Sequence, residues 1–386
     1  MSTDGLARTE EIRIALEQIA QYGVPGDPET ARIMDVGTES YLRYFEAEVL
    51  GDLLAGGGAT CRFFEGAYGS GKTHLLQLLR DLALRQGMAV AWTDLSQAIS
   101  LEDWRLITLH ILQRIEVQID GELVRSLPRI LQTLGRGGHA DLAGLRQATL
   151  PHTGFHAAML KAAASPDLGE LARHYLHGYL NGARVGAGQF RQVGITGVKS
   201  PLSARNAEQV LNTALGGLRH LGLRGTMLLF DENEQTLGTE RTAHSRRVQI
   251  SANLMRRLID GCANRTLTGM VAVYAVLPGF LERCARVYPA LGQRLHVIRQ
   301  ETPPPGWRWP VIPIRAVTTV ERPEDFLLAA AQKAEALVKE AGHNTAGLQA
   351  RMHLAGTQVL ERQAGDGYRR ELMKLLAVMA LECLEP

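Results

Sequence analysis

The chain has 386 residues, of which 45% are hydrophobic and 21% are charged, and its formal net charge is +2. This composition supports a large buried core in one or two domains, and it excludes long disordered spans and a globally basic surface for nucleic acid. No apolar stretch has the length of a membrane span, and the N-terminal residues lack the apolar region of a signal peptide. We therefore expect a cytoplasmic protein without a membrane segment.

The first predicted elements are two helices and a βαβ unit. Apolar residues at helical spacing predict a helix over Arg8–Gln21, which GVPGDP ends, and a second helix covers about Glu39–Leu54. CRFFE and GMAVAWTDL are then predicted strands with a helix between them. Strand, helix and strand at this spacing are typical of an open parallel sheet.

The turn between the first strand and its helix has the pattern G-x-x-x-x-G-K-T, which is typical of a nucleotide phosphate loop. Its glycines allow consecutive N–H groups to face phosphate oxygens, and the helix start adds a positive dipole. Lys72 is the predicted ligand of the β- and γ-phosphates, and the hydroxyl of Thr73 is a predicted Mg²⁺ ligand. His74 is expected to pack under the loop without a catalytic role. The predicted nucleotide-binding residues are Gly66, Ala67, Tyr68, Gly69, Ser70, Gly71, Lys72, Thr73 and His74.

The interval between Asp94 and Thr226 is longer than a crossover needs, and its mostly helical pattern predicts an inserted helical subdomain. TMLLFDE, GMVAVYAVL and VIPIRAV are the next predicted strands. A long helix over Pro323–Ala341 and a helical tail complete the chain.

TMLLFDE carries the second half of the expected chemistry. Four apolar residues precede two acids, which is the Walker B pattern: Asp231 would hold Mg²⁺ through water, and Glu232 would act as the catalytic group that polarises the attacking water. The fourth strand offers only Tyr274 where a polar sensor of the γ-phosphate is expected, so the sensor is unassigned.

Two sets of basic residues are candidates for further roles. Arg294, and less strongly Arg286, lie where ring-forming ATPases place an arginine that reaches a neighbour's nucleotide. The cluster Arg241, His244, Arg246 and Arg247 could hold a phosphate backbone, although a solvated helix face is the favoured interpretation.

The sequence resembles the ATP-binding proteins of bacterial BREX phage-resistance loci, an AAA+-like branch of the P-loop ATPases. The resemblance covers most of the chain and rests on GVPGDPETARIMDVG, EGAYGSGKTHLLQLLRDLALRQGMAVAWTDLS, NAEQVLNTALGGLRHLGLRGTMLLFDENEQT, MRRLIDG and YPALGQRL. It implies that Lys72 and Thr73 serve the phosphates and Mg²⁺, Asp231 the metal and Glu232 catalysis. It also implies helicase or DNA-modifying partner proteins.

Together these features predict an α/β fold, a P-loop NTPase core of AAA+/ASCE-like type with a parallel sheet, a helical insert and a helical C-terminal segment. The predicted units are an N-terminal helical segment 1–55, a core 56–320 with the insert at about 100–205, and a lid-like segment 321–386. The leading hypothesis is an ATPase motor or switch, in a homo-oligomer that acts with DNA. The alternatives are a nucleotide-gated scaffold with little hydrolysis, and a small-molecule kinase, against which the adjacent acids and the long insert count.

Overall fold

The computed structural model describes residues 3–95, 103–165, 167–231, 241–296, 307–362 and 367–384. Within these residues, seven strands form one sheet in the order β4-β3-β2-β5-β6-β1-β7. The strands are β1 (Ala59–Glu65), β2 (Ala89–Asp94), β3 (Glu116–Ile119), β4 (Glu122–Arg125), β5 (Thr226–Asp231), β6 (Met270–Val276) and β7 (Val311–Pro313). The fold is therefore α/β, as the sequence predicts.

Five neighbouring strands, β2, β5, β6, β1 and β7, run parallel. Their carboxyl ends therefore meet at one edge of the sheet. In the register, Asp94 lies opposite Asp231, and Glu65 lies opposite Val276. This edge carries the turn that follows β1 and the acid that ends β5, so it places the two predicted motifs side by side.

The expectation of a wholly parallel sheet is wrong, because β3 and β4 add an antiparallel hairpin at one edge. Asp120 and Gly121 form its two-residue turn with φ angles of 52° and 85°. Such a pair of positive φ angles matches the twist of an antiparallel hairpin, and Asp-Gly is a favoured sequence for it. The insert between β2 and β5 consequently begins with a helix and a hairpin before it becomes helical.

Helices cover both faces of the sheet and form a separate layer at the chain ends. The helices are α1 (Thr3–Tyr22), α2 (Pro28–Ile33), α3 (Glu39–Tyr44), α4 (Lys72–Arg85), α5 (Trp104–Arg114), α6 (Leu127–Arg136), α7 (Leu142–Gln147), α8 (Thr153–Ala164), α9 (Glu170–Leu180), α10 (Ala187–Gln192), α11 (Ala207–His220), α12 (Arg241–Ala263), α13 (Phe280–Val287), α14 (Pro289–His296), α15 (Pro323–Glu340), α16 (Leu348–Arg362) and α17 (Tyr368–Leu384). None of the helices in the described ranges is long and apolar enough to cross a membrane.

Alternate residues of the central strands enter two different cores. Leu228 and Phe230 pack with α11, α12 and the insert, whereas Met227 and Leu229 pack with α4. Because both faces are covered, the strands are nearly continuous apolar runs instead of alternating ones. This explains why TMLLF and MVAVYAV give strong strand signals.

A third core joins the two ends of the chain. The apolar face of α1, including Ile12 and Leu16, packs with Leu327 of α15 and with Leu372 and Leu376 of α17. The helical layer that faces the carboxyl edge of the sheet is thus built from the beginning and the end of the sequence. The predicted boundaries of the three units stay predictions.

Two predicted elements differ in form. The helix predicted over Glu39–Leu54 consists of α3 and a π-helical segment, Phe45–Leu54, and the predicted strand VIPIRAV has three strand residues before a 3-10 turn, Ile314–Val317. Ile312 and Ile314 are buried against the α4 side of the sheet. The apolar run therefore reflects burial, which a strand and a tight turn share.

Candidate functional site

The phosphate loop lies at the carboxyl edge of the sheet, between the end of β1 at Glu65 and the start of α4 at Lys72. Gly71 occupies the N-cap position of α4. The first N–H groups of a helix have no intrahelical acceptor, so this turn presents free donors and the positive end of the helix dipole to the same point. Both features favour an anion.

Gly69 shows why the loop needs a glycine at its outer turn. Its φ angle is 74°, and a Cβ atom there would lie 3.1 Å from the Cα of Gly367. A side chain would be strained in this conformation and would press on the backbone that leads into α17. The phosphate loop and the C-terminal helical layer are therefore in direct contact.

The Lys72 ammonium is held inside the loop. Nζ donates to the carbonyl oxygens of Gly66 at 2.8 Å and Ala67 at 3.0 Å, and it lies 5.5 Å from the ring centroid of Tyr68. The residue is 8% exposed, whereas Tyr68 is 65% exposed. The charge is therefore fixed at the loop by backbone oxygens.

Thr73 and Asp231 connect the two sequence motifs. Thr73 Oγ1 donates to Asp231 Oδ2 at 2.8 Å, although the residues are 158 positions apart. Asp231 ends β5, one strand beyond β6, and is 5% exposed. The topology of the sheet, and not the chain sequence between them, brings this hydroxyl and this carboxylate together.

His74 packs beside the loop, as expected. Its Nε2 lies 3.4 Å from Oδ1 of Asp35, and the Thr38 hydroxyl donates to the same carboxylate at 2.8 Å. Asp35 is buried and follows α2. His74 therefore ties α4 to the N-terminal segment that forms one wall of the cleft above the loop.

This cleft encloses about 1050 Å³, open solvent included. Its floor is the loop from Tyr68 to Leu75 together with Asp231. Its other walls are mainly apolar and come from both chain ends: Ile19, Val24, Pro25, Met34, Val36, Phe326 and Met373. One end of the cleft is thus polar and suited to phosphates, and the other suits a flat apolar group such as a nucleobase.

Arg369 and Arg370 of α17 also line the cleft, and the sequence interpretation did not include them. Arg369 donates to the carbonyl of Val320 at 3.2 Å and lies 4.9 Å from the ring centroid of Phe326, so it fastens α17 to α15. Arg370 is exposed and has no hydrogen-bonding partner among the described residues. Its guanidinium is therefore available to an anion in the cleft.

The arginines predicted to act across a subunit boundary lie away from this cleft. Arg294 of α14 makes a two-pronged ion pair with Asp260 and donates to the carbonyl of Ala290 at 2.9 Å. The hydrogen bond to Asp260 raises the pKa of Arg294 further. Arg286 is an exposed residue of α13. Neither arginine lines the cleft, and their role towards a neighbour stays a prediction.

Other sequence predictions fall partly outside the described residues. Glu232 lies outside them, and so do the side chains of Arg241, His244, Arg246 and Arg247. Tyr274 is described and is buried at the centre of the sheet, stacked between Phe63 and Phe230 with centroid distances of 5.0 and 4.5 Å. Burial raises the pKa of its phenol well above the usual value. Tyr274 is therefore a core residue on the face opposite α4.

Comparison with known protein families supports the interpretation of this edge. Residues 28–126 match the family of BREX system ATP-binding proteins BrxC/D. The match confirms the resemblance over the segment that contains part of the N-terminal wall of the cleft, from Met34 to Thr38, together with the phosphate loop, α4 and β2. Asp231 lies beyond the matched residues. Searches of curated proteins and of solved structures found no match.

Proposed function

We propose that this chain binds and hydrolyses ATP as an AAA+-like P-loop ATPase and acts as a motor or switch in defence against phage. The observation that carries the proposal is the hydrogen bond between Thr73 and Asp231. It joins the hydroxyl of a phosphate loop to the acid at the end of a buried parallel strand. The family description, which names ATP binding and the BREX system, supports the same activity and setting.

The nucleotide would lie along the cleft, with its phosphates at the polar end. The N–H groups at the start of α4 and the Lys72 ammonium lie at that end, and together with Arg370, which lines the same cleft, they would neutralise the charge of the triphosphate. The base would occupy the apolar end between the N-terminal segment and the helices α15 and α17. Glu232 follows Asp231 directly and would orient the attacking water.

The donor set at the phosphate end fits Mg²⁺. Thr73 and Asp231 offer a hydroxyl and a carboxylate oxygen, which are the hard ligands that this ion prefers. Thr73 would bind the ion directly and Asp231 would hold it through a water molecule, and the hydrogen bond between the two side chains keeps both groups at one place. The bound ion would supply charge neutralisation for the β- and γ-phosphates.

A specific observation also favours the alternative, a nucleotide-gated scaffold. The cleft lies between the sheet edge and the helical layer of α1, α15 and α17, and Gly69 touches the backbone before α17. Nucleotide that contacts both sides would stabilise one arrangement of the two parts, whether or not hydrolysis is fast. The rate of hydrolysis separates the two functions.

The proposal also includes assembly into a homo-oligomer and binding of a partner protein. In a homo-oligomer, Arg294 would complete a neighbour's site only after it leaves Asp260. A helicase or DNA-modifying protein is the proposed partner. DNA would be held by a local basic patch, since the net charge of the chain is close to zero.

Calorimetric titration with ATP and Mg²⁺ tests nucleotide binding. We expect the Lys72→Ala variant to bind about tenfold or more weakly, because a charge-assisted hydrogen bond contributes about 1.5 to 3 kcal/mol. The matched control is Lys339→Ala, which removes an exposed lysine at the end of α15. Equal affinity of wild type and Lys72→Ala would contradict the proposed site.

A further inference from the structure

A second cavity lies at the opposite end of the sheet from the phosphate loop. It is formed by the segment between α7 and α8, the last turns of α11 and the segment that leads from α12 into β6. Met270, the first residue of β6, is part of its floor. The cavity encloses about 710 Å³, open solvent included.

The described residues that line the cavity include basic side chains and no acidic ones. Arg219, His220 and Arg265 line it, and no aspartate or glutamate does so among the described residues. Arg219 is half-buried, Arg265 and His220 are exposed, and within the described chain neither arginine has a hydrogen-bonding or ion-pair partner. An anion bound here would supply the counterion that these two guanidinium groups lack.

Several other partly buried arginines pair with acids: Arg80 contacts Glu116, and Arg256 and Arg294 share Asp260. Arg105 does not, since its Nε is buried without a hydrogen-bonding partner among the described residues, so the lack of a partner alone does not set Arg219 apart. Arg219 lies in the last turn of α11, where the negative end of the helix dipole favours a cation. The dipole does not explain Arg265, which lies in the segment after α12.

Arg265 is also held in an unusual conformation. Its φ angle is 56°, in the left-handed region that residues with a Cβ atom rarely adopt. It follows the end of α12, where a glycine would be accommodated without strain. Strain of this kind is often found where a side chain is held for a ligand.

Neutral hydrogen-bonding groups complete the lining. Asn212 and the hydroxyl residues Thr149, Thr266 and Thr268 surround the same space as the three basic side chains. The Asn212 amide and the Thr149 and Thr268 hydroxyls can donate to oxygens that the guanidinium groups leave uncovered, whereas the Thr266 hydroxyl donates to the carbonyl of Gly261 at 3.3 Å. This combination fits a tetrahedral oxyanion better than a single carboxylate.

The geometry points to a second anion site, in which Arg219, His220 and Arg265 bind a phosphate group of a small phosphorylated compound or of a nucleic-acid backbone. It goes beyond the proposed ATPase function, because it lies at the amino ends of the strands and shares no residue with the phosphate loop. Arginine is the preferred residue for phosphate because its planar group donates two parallel hydrogen bonds.

The test is carried out in the Lys72→Ala background, so that binding of the probes at the phosphate loop is weakened. The result then does not depend on whether the chain hydrolyses ATP. Pyrophosphate and a single-stranded dT20 oligonucleotide are titrated against this protein and against versions with Arg219→Gln or Arg265→Gln. The control adds Arg224→Gln, an exposed arginine that donates to Gln86 at 2.6 Å and lies outside the cavity.

We expect at least one probe to bind, each cavity substitution to weaken it about tenfold, and Arg224→Gln to change it less than about twofold. Binding of pyrophosphate alone assigns the site to small phosphorylated compounds, and tighter, salt-sensitive binding of dT20 assigns it to a nucleic-acid backbone. Arg265→Gly distinguishes binding from folding, since it relieves the strained φ angle and should raise the melting temperature while it weakens binding. The inference fails if neither probe binds, or if Arg224→Gln weakens binding as much as the cavity substitutions.

Discussion

Lys72 and Asp231 illustrate how individual side chains at the carboxyl edge are held in place by their neighbours. Lys72 is satisfied by two loop carbonyls, and Asp231 accepts from Thr73. Both charged groups are nearly buried, so each keeps a fixed position through short contacts with the loop. Such preorganisation reduces the entropy that nucleotide binding must oppose.

Asp231→Asn separates the metal from the nucleotide. The amide oxygen can still accept from Thr73, so the loop should keep its shape, but the negative charge that we propose holds Mg²⁺ is lost. We expect ATP affinity in the presence of EDTA to stay within about twofold of wild type, while the gain on adding Mg²⁺ falls about tenfold. Calorimetry with and without Mg²⁺ measures both. An unchanged Mg²⁺ effect would show that Asp231 is not a metal-holding residue.

The sequence predicted some of these residues and missed others for a physical reason. Lys72, Thr73 and Asp231 stand in local patterns whose spacing is set by a tight turn and by a strand end. Arg370 has no such pattern, since it is an exposed arginine on an amphipathic helix, and only the packing of α17 beside the loop brings it to the cleft. A residue that reaches the cleft only through the packing of distant helices leaves no local signal.

At the scale of elements, α17 connects the cleft with the third core. Its first turn carries Arg369 and Arg370, and its apolar face packs on α1 and α15. A nucleotide held by Arg370 should therefore slow the opening of this turn.

Hydrogen exchange measures that effect directly. We expect ATP to slow amide exchange in the first turn of α17 and at residues 34–38, and to leave the edge strand β4 unchanged. Arg370→Ala, a change of an exposed side chain, should remove the protection of α17 while the phosphate loop stays protected. Equal protection of α17 in this variant would mean that its contact with nucleotide does not pass through Arg370.

The helix α8 provides a pH-dependent element in the insert. The His152 ring accepts from the N–H of Phe155 at 2.9 Å, which caps the helix and requires a neutral ring. Burial lowers the pKa of His152, and it also lowers those of His110 and His177. At these histidines the unfolded chain therefore binds more protons than the folded chain once the pH falls below about 6.5. Their contribution to the free energy of unfolding is fully present above that pH and is lost as the pH falls.

His152→Asn tests this assignment, because asparagine caps a helix without titrating. We expect the melting temperature of wild type to fall as the pH is lowered from about 7.5 to 5.5, and that of the variant to fall less. The difference reflects the cap of α8, which contributes about 1 kcal/mol to stability and is lost at low pH only in wild type. The remaining decline belongs to His110 and His177. Identical pH profiles would show that the His152 cap does not titrate in this range.

The hairpin of β3 and β4 was missed although its signal is present. EVQIDGELVR contains alternating apolar positions around Asp-Gly, which is a strong hairpin pattern. The pattern is short and lies between segments with helical periodicity, so the whole interval is predicted to be helical. The central strands were predicted because continuous apolar runs in parallel sheets are longer and less ambiguous.

For the whole molecule, three cores define two parts that meet at the cleft. Two cores hold the sheet between its helical layers, and the third joins α1 to the C-terminal helices. The α/β class and the nucleotide-binding edge were predictable from local patterns. The union of the two chain ends was not, because no local pattern records which amphipathic helices pack together.

Steady-state ATP hydrolysis by wild type and by Glu232→Gln tests the central claim most directly. The rates are measured with Mg²⁺ over a series of protein concentrations, without DNA and with single- or double-stranded DNA. We predict turnover by wild type that rises with concentration and with DNA, and loss of turnover in Glu232→Gln with ATP binding retained. If both proteins bind ATP and neither hydrolyses it under any of these conditions, the isolated chain is not a motor, and the nucleotide-gated scaffold becomes its function.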